Sequence, residues 1–267
     1  MPLPAVGIIR ADALAAGPRR ADLWGMCGRY MLRADPKLLK RAFGVGEFSE
    51  TPRDLASRFN IAPTQPVPIV RELKVVRRGD GSAARELATV RWGLIPAWAK
   101  DPSVGNRTIN ARAEGVAEKP AFRAAFRSRR CIVPASGFYE WKREGRGPKR
   151  PYLIRCKDGE PIGFAGLWET WRDPSGGEAV ETCTIITCEP NELMAGLHDR
   201  MPVILDPGDY DRWLAPEAPG AEELLRPCPA EWLEAVPVGT RVNSPANDDE
   251  SLIRTEGEPL AAQGALL

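Results

Sequence analysis

The sequence predicts an α+β chain whose strands pair mostly antiparallel. Three observations carry this: seven short runs of β-type residues, helical patterns too brief and too irregularly placed to alternate with them as βαβ units, and abundant proline. Proline is 26 of 267 residues, roughly twice the usual share of about 5%, which favours short elements and fixed loops over long helices. Length alone gives a prior of roughly 1.8 domains, yet β-rich chains of about 200–250 residues often fold as one unit. One domain with tails and two domains are therefore equally open at this point.

Residues 1–25 are rich in Ala, Pro and Gly without a sustained period and read as a flexible leader, so structure is expected from Met26. Asp35 can cap a helix that starts at Pro36, buries Leu38, Leu39, Ala42 and Phe43 on one face and stops at Gly44. Residues 60–66, Asn-Ile-Ala-Pro-Thr-Gln-Pro, read as a loop punctuated by proline. Strands are expected at Val67–Val76, Ala88–Trp92, Arg130–Val133, Tyr152–Cys156, Ile162–Trp168, Thr182–Thr187 and Pro202–Leu205. Helical spacing recurs in Lys119–Arg127, through Phe122 and Phe126, and in Pro190–Leu197, through Leu193 and Leu197. Asp209–Leu214 and Ala221–Leu225 read as further short helices. Apolar content thins from Asp248, and Glu256–Leu267 reads as a tail.

Composition excludes several classes of function. Lys and Arg total 37 against 36 Asp and Glu, so no global field pulls the chain toward nucleic acid or membrane, and any anion site must be local. No apolar run reaches the length of about 18 residues that spans a bilayer. The single histidine, His198, excludes a multi-histidine metal site within one chain. The six cysteines, Cys27, Cys131, Cys156, Cys183, Cys188 and Cys228, contain no CxxC pair. Four of them, Cys131, Cys156, Cys183 and Cys188, lie in or beside apolar runs where a free thiol acts as a small buried hydrophobe. With no secretory signal in the first 25 residues, a cytoplasmic protein with reduced thiols is expected.

P-loop, GxGxxG, HExxH and GxSxG motifs are absent, so the chemistry must be sought in scattered residues. Cys27 follows an internal methionine; it is either an ordinary thiol in a strand or, if Met26 is the true initiator and is removed, a cysteine with a free α-amine. Such an amine has a pKa of about 7.7–8.0, far below that of lysine, and attacks aldehydes near neutrality. The neighbouring thiol can then close a five-membered thiazolidine ring, an intramolecular step with a high effective molarity. Asn110 and Arg112, two residues apart in an extended segment, share one face and can hold a sugar and a phosphate, or serve as a cap and a solvated cation. Glu140 sits among Phe138, Tyr139 and Trp141, where desolvation raises a carboxyl pKa and suits it to proton transfer; a salt-bridged edge glutamate is the competing reading. His198 lies between Leu197 and Asp199-Arg200 and is either a proton-transfer group or a structural imidazole. Tryptophans beside cations, Trp98 near Lys100 among them, suit stacking of unpaired bases. The basic groups Arg123, Arg127, Arg129, Arg130 and Lys142, Arg143, Arg146, Lys149, Arg150 either face phosphates or form solvated surface.

Six segments stand in a characteristic order: Met26-Cys27-Gly28-Arg29-Tyr30, Phe59 to Thr64, Arg91 to Trp98, Ile109 to Glu114, Gly137 to Trp141 and His198 to Pro202. Together they resemble the SRAP family, the SOS-response-associated peptidases understood as abasic-site processing proteins, over roughly Met26–Thr255. The resemblance implies a single domain over residues 26–255 with a central barrel-like antiparallel sheet and peripheral short helices. It implies a groove for single-stranded DNA containing abasic sites, a covalent thiazolidine crosslink through Cys27, associated lyase action and no cofactor. Glu140 would then transfer protons, Asn110 would orient the terminal cysteine and the sugar, and His198 would assist opening of the deoxyribose ring. Arg112 and Arg200 would hold flanking phosphates, with Arg29, Asn60, Pro63, Trp98 and Thr187 lining the strand. A monomer without an obligate protein partner, nucleoid-associated when bound to damaged DNA, is expected. The departure from the family is the 26 residues ahead of Cys27: while they are attached there is no α-amine. An upstream-extended reading frame or proteolytic removal of the leader would reconcile the two. The rival readings are a cysteine peptidase using Cys27, His198 and Glu140, and a non-covalent single-strand binder.

Overall fold

The computed structural model describes residues 27–46, 55–77, 83–143, 145, 147–216 and 219–260; the expected leader, Arg146 and residues 261–267 lie outside them. Five strands close on themselves: β3 (Pro66–Arg77), β4 (Ala83–Trp92), β6 (Arg130–Ala135), β9 (Ile162–Trp171) and β10 (Val180–Cys188). Their order β10-β4-β3-β6-β9 returns to β10 because β9 and β10 also pair, and only the β10–β4 seam is parallel. The expected antiparallel, barrel-like sheet is therefore present. Closure removes the exposed edges that an open sheet would leave. Its interior is apolar, with Tyr30 set edge-on against both Trp92 and Phe164.

All seven expected strands are found, most of them longer than the apolar run that signalled them. Prolines would normally confine a strand to an edge, yet β3 contains Pro66 and Pro68 inside the barrel. The pairing register explains it: β4 lies opposite Pro66 and Pro68, whereas β6 meets β3 at Val70, beyond both rings. The run expected at Pro202–Leu205 is shorter as a strand, β11 (Met201–Pro202), followed by an isolated bridge from Ile204 to Phe164.

A second, five-stranded sheet has the order β12-β8-β7-β1-β2, built from β1 (Tyr30–Leu32), β2 (Arg58–Ile61), β7 (Gly137–Lys142), β8 (Arg150–Cys156) and β12 (Leu233–Pro237). Of these, β8 alone was foreseen as a strand. The segment expected to be a loop at Asn60 is half strand: β2 includes Asn60 and Ile61, and the irregular structure begins at Ala62. The C-terminal segment is not a loose end as far as it is described, since Glu256 N donates to Pro237 O and Leu260 N donates to Ala235 O.

The helices are short. α1 (Pro36–Ala42) begins as expected, with Asp35 accepting from the N–H groups of Lys37 and Leu38. α2 (Arg123–Ser128) occupies only the second half of the pattern at Lys119–Arg127, the first half being turns. α3 (Glu192–Ala195) is one turn capped by Asn191, and α4 (Tyr210–Leu214) follows a 3-10 turn. Ala221–Leu224 is 3-10 rather than α. Among the described residues no helix is long and apolar enough to cross a membrane.

Candidate active site

The two sheets meet at Cys27. Tyr30 lies opposite Phe138 in the antiparallel β1–β7 pair, and Tyr139 N donates to Arg29 O. This register carries the chain preceding β1 past Glu140, and Cys27 N donates to Glu140 Oε1 at 2.8 Å. From the barrel side, Arg200 O lies 3.6 Å from Cys27 Sγ as its hydrogen-bond acceptor. The nitrogen and sulfur of one residue are thus held from two directions, and both Cys27 and Glu140 are buried.

Burial sets the protonation of this pair. It pushes the Glu140 carboxyl above the usual glutamate range, an effect partly offset by His198, by the hydrogen bonds from Cys27 and by Lys149. The Cys27 thiol is pushed well above its ordinary value by burial first and by Glu140 second, with Arg200 pulling the other way. Burial thus disfavours the charged form of both groups, the carboxylate of Glu140 and the thiolate of Cys27.

His198 follows α3, with its N–H on Met194 O. Its Nδ1 accepts from Arg200 N at 3.1 Å, while Asp199 Oδ1 also stands 2.8 Å from Nδ1. One Nδ1 cannot accept from the first and donate to the second. The main-chain bond is fixed by the fold, whereas the Asp199 side chain is 87% exposed and free to turn toward water. We therefore assign Nδ1 as acceptor, which places the proton of the neutral ring on Nε2.

Strand β5 (Asn110–Arg112) runs parallel to the end of β10, with Asn110 opposite Ile185 and Arg112 opposite Thr187. Asn110 and Arg112 share a face of this strand; Asn110 is half-buried and Arg112 exposed. Trp98 is 65% exposed, the one large apolar side chain among the described residues to be so. Arg200, by contrast, is folded back, with Nη1 and Nη2 each 2.8 Å from a carboxylate oxygen of Glu114.

Three residues expected to line the strand are turned inward. Thr187 is buried and offers its carbonyl to Arg200 Nη2 and to Ala113 N. Pro63 is buried. Asn60 is 0% exposed; its Nδ2 reaches the carbonyls of Val242, Ser244 and Asn247, and its Oδ1 accepts from Arg29. Arg29 also donates to the carbonyls of Val242 and Asn243, and its guanidinium lies over Trp141, 5.9 Å from the ring centroid. Trp141 Nε1 in turn donates to Asn243 Oδ1.

The segment 240–248 is thus the component that sequence reasoning overlooked. Asp248 completes it by accepting from the N–H groups of Phe59 and Asn60 and from Arg58 Nε. The available signal was the cluster of turn-forming residues in Asn243-Ser244-Pro245-Ala246-Asn247-Asp248. Its low apolar content gave the stretch no helical or strand period to mark it.

Comparison with known proteins accords with this geometry. A family model described as SOS response associated peptidase (SRAP) matches residues 26–245. Abasic site processing protein YoqW of Bacillus subtilis (strain 168) is 43% identical over 233 residues, which cover 86% of this chain and 100% of that protein. Abasic site processing protein HMCES of Gallus gallus is 35% identical over 256 residues, covering 84% of this chain and 76% of that one. A crystal structure of a protein from Bacteroides thetaiotaomicron superposes with a TM-score of 0.73 at 29% identity, covering 86% of this chain and 100% of that chain.

Proposed function

From the premise that the chain belongs to the SRAP family, we propose that it processes abasic sites in single-stranded DNA by capturing the lesion aldehyde on Cys27. One observation carries the reading: the nitrogen of Cys27 is hydrogen-bonded at 2.8 Å to a buried carboxylate. Freed as an α-amine, that nitrogen adds to C1′ of the open sugar. Glu140 takes a proton from the nitrogen and returns one to the new hydroxyl, which leaves as water and gives an imine. The Cys27 sulfur then adds to the imine carbon, its proton passes to the nitrogen, and a thiazolidine closes. A thiol held protonated by burial suits this order, amine first and sulfur second. His198, with its proton on Nε2, donates to the ring oxygen as the closed sugar opens, and Asn110 and Arg112 border the sugar and its phosphate from β5.

The hydrogen bonds favour this route over a cysteine-peptidase triad directed at other proteins. Glu140 bonds to Cys27 instead of orienting His198, whose Nδ1 is taken by the Arg200 main chain. A related cleavage at Cys27 itself has support of its own. Cys27 holds φ at 25°, in a region that costs a non-glycine residue of order 1–3 kcal/mol and that ceases to be a constraint once the preceding peptide bond is gone. Attack of Cys27 Sγ on the Met26 carbonyl breaks that bond, leaves a thioester and transfers the thiol proton to the released nitrogen. Water then hydrolyses the thioester, restoring the thiol and freeing residues 1–26.

The test is a denaturing gel with an abasic single strand, run on the full chain and on a chain starting at Cys27, with intact mass recorded for both. The chain starting at Cys27 should form a denaturant-resistant adduct, and the same chain carrying Cys27→Ala should form none. An adduct of equal yield from the Ala variant would overturn the role of Cys27. An adduct on full-length chains that retain residues 1–26 would overturn the requirement for a free α-amine.

A further inference from the structure

Glu114 occupies the edge of Arg200 by which that arginine would grip a phosphate. A guanidinium grips an anion best through two adjacent N–H groups, and Arg200 has no such pair to spare. Its end-on edge is occupied by Glu114, Nη1 to Oε1 and Nη2 to Oε2, both at 2.8 Å. Its side-on edge is closed as well: Nη2 donates to Thr187 O at 2.6 Å, and Nε is buried without an acceptor. Arg112 adds its field to the same carboxylate, and with Arg200 holds the Glu114 carboxyl below the usual range, so it is ionised. An anion is thus already bound to Arg200, one of the two arginines expected to take the flanking phosphates, and within the field of the other, Arg112. The two partners differ in freedom: the Arg200 side chain is 13% exposed and Glu114 is 61% exposed, so the carboxylate is the partner able to swing away.

We propose that Glu114 is an internal competitor for DNA phosphate, a residue that weakens non-covalent capture of any single strand so that lasting attachment depends on the covalent step at a lesion. This rests on the reading given under Proposed function. A phosphate approaching Arg200 must displace the carboxylate and then lie near it, losing on both counts. A lesion aldehyde that reacts with Cys27 is retained regardless of that loss, whereas an intact strand held only by phosphates and stacking departs.

The test uses the full chain and fluorescence anisotropy with two labelled single strands, one intact and one bearing a tetrahydrofuran abasic analogue that has no aldehyde and cannot crosslink. Glu114→Gln should tighten both strands by about fivefold at low salt, the order expected for removing an exposed bidentate ion pair. The slope of log K against log salt should steepen by up to about 0.7, the increment for one further single-strand phosphate neutralised. Glu114→Asp, which keeps the charge on a shorter arm, should fall between wild type and Gln. If wild type binds and Glu114→Gln binds equally or more weakly, the carboxylate is a support for Arg200 and the proposal is overturned by itself. If neither wild type nor Glu114→Gln binds either strand, the reading on which the proposal rests fails with it.

Discussion

Glu140 is buried, and the proton exchange proposed for it would oppose that burial. Its folded pKa lies above that of an exposed glutamate, so its contribution to stability is fully present below the ordinary glutamate range and is lost as pH rises through the folded value. At neutral pH the buried carboxylate therefore weakens the fold. In the full chain, Glu140→Gln keeps an acceptor for Cys27 N and removes the buried charge. It should raise Tm at pH 7 by about 2–4 °C per kcal/mol recovered, and the gain should vanish near pH 4, as thermal melts across pH would show. The same substitution should slow adduct formation and leave in its pH profile only the acid limb of the α-amine, since proton transfer by Glu140 needs the ionised carboxyl. The burial of this carboxyl was legible in the sequence, because a carboxylate flanked by Tyr139 and Trp141 has few ways to stay hydrated; its role rests on the resemblance. The sequence did not reveal the inward turn of Asn60 and Thr187, because a polar residue that serves a site and one that serves the fold have the same composition and differ only in partners.

At the scale of elements, β10 organises the barrel side of the site. One of its edges pairs with β4 at Thr182–Cys183 and then with β5 at Ile185–Thr187; the other pairs with β9 and then with β11. The chain between β4 and β5 must consequently leave one strand and return beside the same neighbour. It does so through a close backbone approach: a Cβ on Gly105 would lie 2.7 Å from Gly93 O, and Gly93 itself has φ +119°. Gly93 N donates to Cys183 O, and Trp92 Nε1 donates to Ile109 O, so the return is pinned at both ends. Gly105→Ala should destabilise by about 1–3 kcal/mol, the usual cost of forcing atoms into a filled space, and should displace β5 enough to slow adduct formation. Chemical denaturation and the adduct gel would read these separately. Strands of this barrel were legible because each carries a run or an alternation of apolar and β-branched residues: β6 is buried throughout and β9 nearly so, whereas β4 mixes buried positions with half-buried and exposed ones. β1, β2, β7 and β12 were not, since they are short and take much of their stability from neighbours far along the chain.

At the scale of the whole molecule, distant parts of the chain are joined by a few side chains. Asn60 is the clearest joint, with three carbonyls and one guanidinium meeting a single buried amide. Asn60→Ala leaves those groups buried without partners, at about 1–3 kcal/mol for each that water cannot reach. It should lower stability by about 2–4 kcal/mol and release segment 240–248, which limited trypsin digestion would register as faster cleavage after Arg241. The order of motifs was enough to anticipate the barrel. It could not show that the stretch after Val238 closes over Arg29, because contacts spanning most of the chain leave no local period.

That closure carries a consequence for synthesis. Arg29 is secured by Val242 and Asn243, and Cys27 by Arg200, so the partners that hold these two residues leave the ribosome long after they do. A nascent chain therefore carries Cys27 and Arg29 unassembled through most of translation, and a polypeptide cut short before residue 240 lacks the clasp.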